Sequence, residues 1–226
     1  MLRNELKFSL SLPSALILEK RLRAVLSADR HTASNGAYQI RSLYFDDPHH
    51  AAFYDKINGL EKREKFRIRF YNRDLSFIRL EKKEKRGNQS LKSGITVHHD
   101  LAEELIACGD LPSLASFPLN EMCHKIRSEA FRPLLFVDYT RKAFLYPAGN
   151  VRITLDTHLF ATPFRSSLLD ETGRVPVLEQ NEAILEVKFD SFLPPFISEL
   201  LYDVPKINVA ISKYCKCYQM LNGEYV

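Results

Sequence analysis

A two-residue period sets the strongest limit on what this chain can fold into. In KFRIRFY (65–71), Lys65, Arg67, Arg69 and Tyr71 fall on one side of a strand, and Phe66, Ile68 and Phe70 on the other. The same period marks 3–10, 38–45, 65–72, 76–85, 134–146, 150–156, 158–164 and 183–190. YPAGNVRITLD reads as a hairpin turning at Pro147-Ala148-Gly149-Asn150. Helical periods fill the gaps. Pro13-Ser14 opens one that carries Leu18, Leu22, Val25 and Leu26 on a single face; others follow Pro48 and cover 100–107, 119–130, 194–202 and 209–221. No internal repeat or Gly/Ser-rich linker interrupts the 226 residues, so one domain, 1–226, is expected.

The polar faces of these strands are unusual in composition. FIRLEKKEK places Arg79, Glu81, Lys83 and Lys85 together; ELKF does so with Glu5 and Lys7, VRITLD with Arg152, Thr154 and Asp156, and ILEVKFD with Glu186, Lys188 and Asp190. YQIRSLYF adds Arg41, DYTRKAF adds Arg141 and the C-terminal segment adds Lys213. Strand faces turned to water usually mix in Thr, Ser and Gln, whereas these are built from Arg, Lys and Glu. If the strands close into a barrel with apolar faces outward beneath the helices, the charged faces line its interior. The fold class expected is therefore α+β: a closed eight-stranded antiparallel barrel with helices packed outside.

Like charges about 6 Å apart at an effective dielectric near 20 repel by roughly 3 kcal/mol, so such an interior needs a multiply charged anion, and a polyphosphate chain is one. Carboxylates set among the cations would repel phosphate unless they hold a hard divalent cation, Mg2+ or Mn2+. Glu186, Glu5 and Glu81 are the candidate ligands; for each, an ion pair with a neighbouring Arg or Lys is the structural alternative.

In their combined order, RNELKF (3–8), YQIRSLYFDD (38–47), REKFRIRFY (63–71), FIRLEKKEK (77–85), DYTRKAF (138–144), VRITLD (151–156), ILEVKFD (184–190) and ISKY (211–214) resemble the VTC domain. This is the polyphosphate polymerase domain of the triphosphate tunnel metalloenzymes, related more distantly to the CYTH group. The resemblance implies transfer of the terminal phosphoryl group of ATP to a growing polyphosphate chain inside a basic tunnel. It assigns phosphate binding to Lys7, Arg41, Arg67, Arg69, Lys83, Arg141, Arg152, Lys188 and Lys213, a hydroxyl donor to Ser212 and the metal position to Glu186. Arg67, Arg69, Arg141, Lys188 and Lys213 are read as acting on the transferred group, and Lys65 and Arg79 join the substrate-binding set from their strand faces. Eukaryotic members add an inositol-phosphate sensor and membrane helices, for which this chain has no room.

The remaining features are bland. Cys108, Cys123, Cys215 and Cys217 show neither paired metal-ligand spacing nor a disulfide framework, and the adjacent His98 and His99 make a poor chelate. All seven histidines read as surface or loop residues. No apolar run approaches a membrane span, and the start does not read as a signal peptide, so a cytoplasmic location is expected. Lys92 in GNQSLKSGITVHHD reads as a loop lysine. Hydrolysis of triphosphate is the alternative within enzymes. The alternative of another class is a non-catalytic binding module for polyphosphate or nucleic acid; it is disfavoured because the aromatics lie opposite the cations instead of between them and because Glu81 and Glu186 interrupt a plain phosphate-tracking surface.

Overall fold

The computed structural model describes residues 4–29, 36–86, 89–108, 117–179, 181–202, 204–208 and 212–223. Arg3, His31 and the 209–211 start expected for the last helix, including Ile211 of ISKY, lie outside them. In chain order the elements are β1 (Asn4–Ser11), α1 (Leu12–Val25), β2 (Ser27–Ala28), β3 (Tyr38–Asp46), α2 (Ala51–Ile57), β4 (Lys62–Tyr71), β5 (Asp74–Arg86), β6 (Gln89–Val97), α3 (His99–Ala107) and α4 (Leu119–Ser128). They continue with β7 (Arg132–Tyr146), a 3-10 turn (Ala148–Asn150), β8 (Val151–Pro163), β9 (Val175–Pro176), β10 (Glu182–Phe189), α5 (Pro195–Tyr202), β11 (Ile207–Asn208) and α6 (Lys213–Asn222). The chain divides into two compact units: residues 1–39, 139–159 and 176–212, and residues 40–138, 160–175 and 213–226.

In the first unit β1 pairs antiparallel with β10, from Asn4 opposite Phe189 to Ser11 opposite Glu182, and β10 pairs with β8. Ser11 caps α1, its Oγ accepting from the Ser14 backbone N–H at 3.2 Å, with a proline in the first turn. The helix buries Leu18 and Leu22 against Ile153, Leu155, Leu185 and Val187. Val25 does not join that face. It is 47% exposed at the last turn, where Leu26 is the buried neighbour.

The second unit is built on the meander β3, β4, β5 and β6, each pairing with the next. Tyr71 opposite Asp74 leaves Asn72 and Arg73 as a two-residue turn, with φ of 51° and 61°. Positive φ at both positions matches the type I′ twist that hairpins favour. Phe66, Ile68, Phe70, Ile78 and Leu80 are fully buried beneath Ala102 and Leu105 of α3 and Met122 and Ile126 of α4. Each such side chain contributes roughly 1.5–3 kcal/mol. The apolar faces thus lie under helices, as expected.

Three expectations are corrected. Lys92, expected on a loop, lies in the strand β6, whose polar positions are Ser90, Lys92, Gly94 and Thr96. The strands expected at 150–156 and 158–164 are one strand, β8, which carries His158 at φ 52°. Finally, the sheet is open. Its order is β11-β1-β10-β8-β7-β3-β4-β5-β6, all antiparallel in the described ladders, and among the described residues no ladder joins β6 to β11. Among the described residues the terminal strand β11 pairs Ile207 with Ser9 and Asn208 with Phe8, too short a contact to carry a closing ladder.

Candidate functional site

In the second unit, register stacks the charged side chains in rows across β4, β5 and β6. Arg69, Arg79 and Thr96 form one row, Arg67, Glu81 and Gly94 the next, and Lys65, Lys83 and Lys92 a third; Arg63, Lys85 and Ser90 extend the face. Eight cations share this face with one carboxylate. Glu81 is the hub: its Oε2 accepts from Arg67 Nε at 2.8 Å and lies 2.7 Å from Arg67 Nη2 and 3.8 Å from Arg69 Nη1, while its Oε1 lies 2.5 Å from Lys92 Nζ. From β3, Tyr44 Oη accepts from Arg67 Nη1 at 2.7 Å and Ser42 Oγ from Arg69 Nε at 3.0 Å. Arg79 Nη2 donates to the Gly94 carbonyl at 3.1 Å.

These neighbours set the protonation states. Burial alone would raise the pKa of Glu81, but Arg67, Arg69 and Lys92 outweigh it and hold the carboxyl well below its usual range. Burial, aided by Arg67 and Arg69 and opposed by Glu81, brings Lys92 down to about 8. Lys65 is also lowered by burial; its ammonium stands 4.4 Å from the centre of the Tyr214 ring and 3.5 Å from Cys215 Sγ. Tyr214 Oη donates to buried Asp46 Oδ2 at 2.6 Å. That bond fastens the start of α6, which Lys213 opens and Ser212 precedes.

The first unit carries a more balanced cluster. Arg141 of β7 grips Asp156 of β8 with two bonds, Nε to Oδ1 at 2.6 Å and Nη2 to Oδ2 at 2.7 Å, and Nη2 lies 3.6 Å from Glu186 Oε2. This bidentate pair keeps Arg141 firmly protonated despite its burial. Glu186 Oε1 lies 2.6 Å from Lys188 Nζ, and Glu5 Oε1 lies 3.0 Å from Lys7 Nζ. Burial lowers the pKa of Lys188, with Glu186 and Glu5 opposing. Lys7 and Thr154 flank Glu186 on the neighbouring strands, and the buried Thr154 Oγ1 has no hydrogen-bond partner. Arg152 Nη2 lies 2.7 Å from Asp29 Oδ2 and donates to Tyr38 Oη at 3.0 Å.

Residues 2–222 match the model of the VTC domain. The chain belongs to the VTC domain family. No curated protein sequence matches it. Among solved structures it is similar to the PH1819 protein of Pyrococcus horikoshii, with 14% identity, TM-score 0.48 and coverage of 98% of this chain and 100% of the other. It is also similar to a protein of Bacillus halodurans described as a candidate adenylate cyclase, with 11% identity, TM-score 0.49 and coverage of 90% and 89%.

Within this VTC domain, Arg67, Arg69, Arg79, Lys65 and Lys83 share one face of the second unit, and Glu5, Lys7, Arg152, Glu186 and Lys188 share one face of the first, with Arg141 beside them. Arg41 is placed elsewhere. It lies opposite Phe70, on the apolar side of β3, with its guanidinium 3.9 Å from the centre of the Phe136 ring and 3.0 Å from Asp138 Oδ2. Residues that sequence reasoning passed over are Tyr44 and Ser42 as partners of Arg67 and Arg69, and Asp29 as the partner of Arg152; in the sequence Lys92 reads as a loop lysine, and Asp156 and Thr154 stand on the polar strand face without a role. Alternation of Ser90, Lys92, Gly94 and Thr96 against Leu91, Ser93, Ile95 and Val97 is the signal that could have found Lys92.

The carboxylates differ in their fitness for a divalent cation. Both oxygens of Glu81 lie within 2.8 Å of cationic donors; Glu186 is ion-paired as well, with Oε1 2.6 Å from Lys188 Nζ and Oε2 3.6 Å from Arg141 Nη2, so its second oxygen is the less tightly held. Glu186, with Glu5 on the same face and the unpartnered Thr154 Oγ1 on the adjacent strand, would offer hard oxygen ligands of the kind Mg2+ or Mn2+ takes alongside phosphate oxygens. No group of three or more His, Cys, Asp or Glu able to hold a metal occurs among the described residues.

Proposed function

We propose that this VTC domain is a polyphosphate polymerase that moves the γ-phosphoryl group of ATP onto the end of a polyphosphate chain. One observation carries the reading: the row Lys65, Lys83 and Lys92, three cations directly opposite one another on adjacent strands. Like charges so placed destabilise a sheet. A polyanion lying across them offsets that cost and gains charge-assisted hydrogen bonds.

Arg67 and Arg69, held by Glu81, Tyr44 and Ser42, present preset forks to phosphate oxygens; Lys83, Lys92 and Arg79 add charge along the same face. Arg141, oriented by Asp156, and Arg152, Lys188 and Lys7 are assigned to phosphate in the first unit. Glu186, with Glu5 and Thr154, would hold Mg2+ or Mn2+, which when bound neutralises charge on phosphate oxygens. An oxygen of the terminal phosphate attacks the γ-phosphorus, the bond from that phosphorus to the bridging oxygen breaks, and ADP departs with the electron pair. The acceptor oxygen is already anionic, so no general base is required.

Purified protein incubated with ATP and Mn2+ or Mg2+ is expected to produce long polyphosphate on gels together with ADP. Free phosphate without polymer would sink the polymerase in favour of a hydrolase. Glu186→Ala is expected to lose at least a hundredfold of metal-dependent turnover while keeping its circular dichroism spectrum; unchanged turnover overturns the metal assignment.

A further inference from the structure

On the apolar side of β3, away from the cationic face of β4 and β5, three guanidiniums converge on one oxygen. Glu171 Oε1 is contacted by Arg73 Nη1 and lies 3.4 Å from Arg174 Nη1 and 3.7 Å from Arg41 Nη1. One carboxylate oxygen cannot satisfy three forks, and two of these separations exceed a good charge-assisted bond. Arg41 is 93% buried at its side chain, yet its Nε has no hydrogen-bond partner. Its other nitrogens bond Asp138 Oδ2 and the Asp170 carbonyl. Three arginines thus face two carboxylates, Glu171 and Asp138, and the cluster is underneutralised.

Arg73 adds a second clue. It occupies the latter position of the β4–β5 turn at φ 61°, where a side chain is strained and glycine is favoured. A residue kept in such a conformation is a candidate for a task that glycine cannot do.

We propose that Arg41, Arg73 and Arg174 form a second oxyanion site, suited to a tetrahedral anion such as orthophosphate, in which the Glu171 carboxylate is a tethered stand-in that phosphate displaces. A tetrahedral anion offers a separate oxygen to each guanidinium, which the single Oε1 does not. The site lies within the second unit and does not depend on the catalytic reading.

Equilibrium dialysis of the full chain with radiolabelled orthophosphate tests it. Arg73→Gly relieves the turn and so is expected to fold, and it should bind one phosphate fewer at saturation than the parent. Glu171→Gln should keep the parent stoichiometry and tighten that one site at least fivefold. Equal stoichiometry in Arg73→Gly, or unchanged affinity in Glu171→Gln, overturns the proposal. Polymer synthesis is scored in a separate assay, so failure of the catalytic reading appears there and failure of this one appears in the dialysis.

Discussion

The ammonium of Lys92 sits 2.5 Å from a carboxylate, yet its pKa falls to about 8, because burial and two arginines outweigh the pairing with Glu81. Tripolyphosphate affinity should therefore decline as pH rises through about 8. Lys92→Arg, which stays protonated, should hold its affinity beyond pH 9 in titrations from pH 7 to 9.5. Asp138 behaves oppositely: burial raises it from 3.8 to about 6, although Arg41 and Arg174 pull it down. Between those values the folded chain keeps a proton that the unfolded chain has released, so stability falls as pH rises from about 4 to 6. The shift corresponds to at most about 3 kcal/mol. Urea unfolding of Asp138→Asn should lack this decline. The pair of Asp138 with Arg41 was not legible in the sequence. Eight of the nine residues of YQIRSLYFD, all but Gln39, are buried, so both faces of β3 are enclosed and period two does not say which one Arg41 joins. Its charge suggested the cationic face; its register with Phe70 puts it on the other.

At the scale of elements, β6 is where residue type and backbone meet most tightly. A Cβ on Gly94 would stand 3.0 Å from the Leu80 carbonyl oxygen, 3.2 Å from Arg79 Nη2 and 3.3 Å from Glu81 Cγ. The carbonyl belongs to the backbone and cannot swing away, so Gly94→Val must push β6 off β5. We expect a loss of roughly 1–3 kcal/mol and at least tenfold weaker tripolyphosphate binding, measured by chemical unfolding and calorimetry. The strands with charge on one side and aromatics on the other, β4 above all, were plain in the sequence. Those that escaped have softer contrast: β6 mixes Ser, Gly and Thr with its one lysine, and β8 was split because His158 adopts a left-handed conformation that breaks the alternation. Helix starts with a cap and proline were readable, whereas the face of α1 drifted by one residue at its end, where Val25 is exposed and Leu26 is not.

For the whole molecule, metal and fold should be separable. Under the proposed function, the ion would be held by Glu186 and Glu5 together with phosphate oxygens that arrive with the substrate. Chelation is therefore expected to abolish ATP turnover while leaving Tm within about 1 °C; a marked fall in Tm would point to a structural metal instead. Closure of the sheet was the expectation that residue patterns could not decide, because alternation fixes faces and leaves the pairing of the end strands open. Among the described residues no helix is long and apolar enough to cross a membrane.

The register of β1 with β10 also bears on how the chain is made. Leu6 finds Val187, and Lys7 finds Glu186, only after roughly 180 further residues have been added. At roughly 5–20 residues per second that wait is on the order of 10–40 s. The β3 to β6 meander, whose partners are near in sequence, can pair as it emerges, while β1 spends the interval with an unpaired edge and an uncovered apolar side. Synthesis of this protein thus leaves β1 in need of shelter until β10 has left the ribosome.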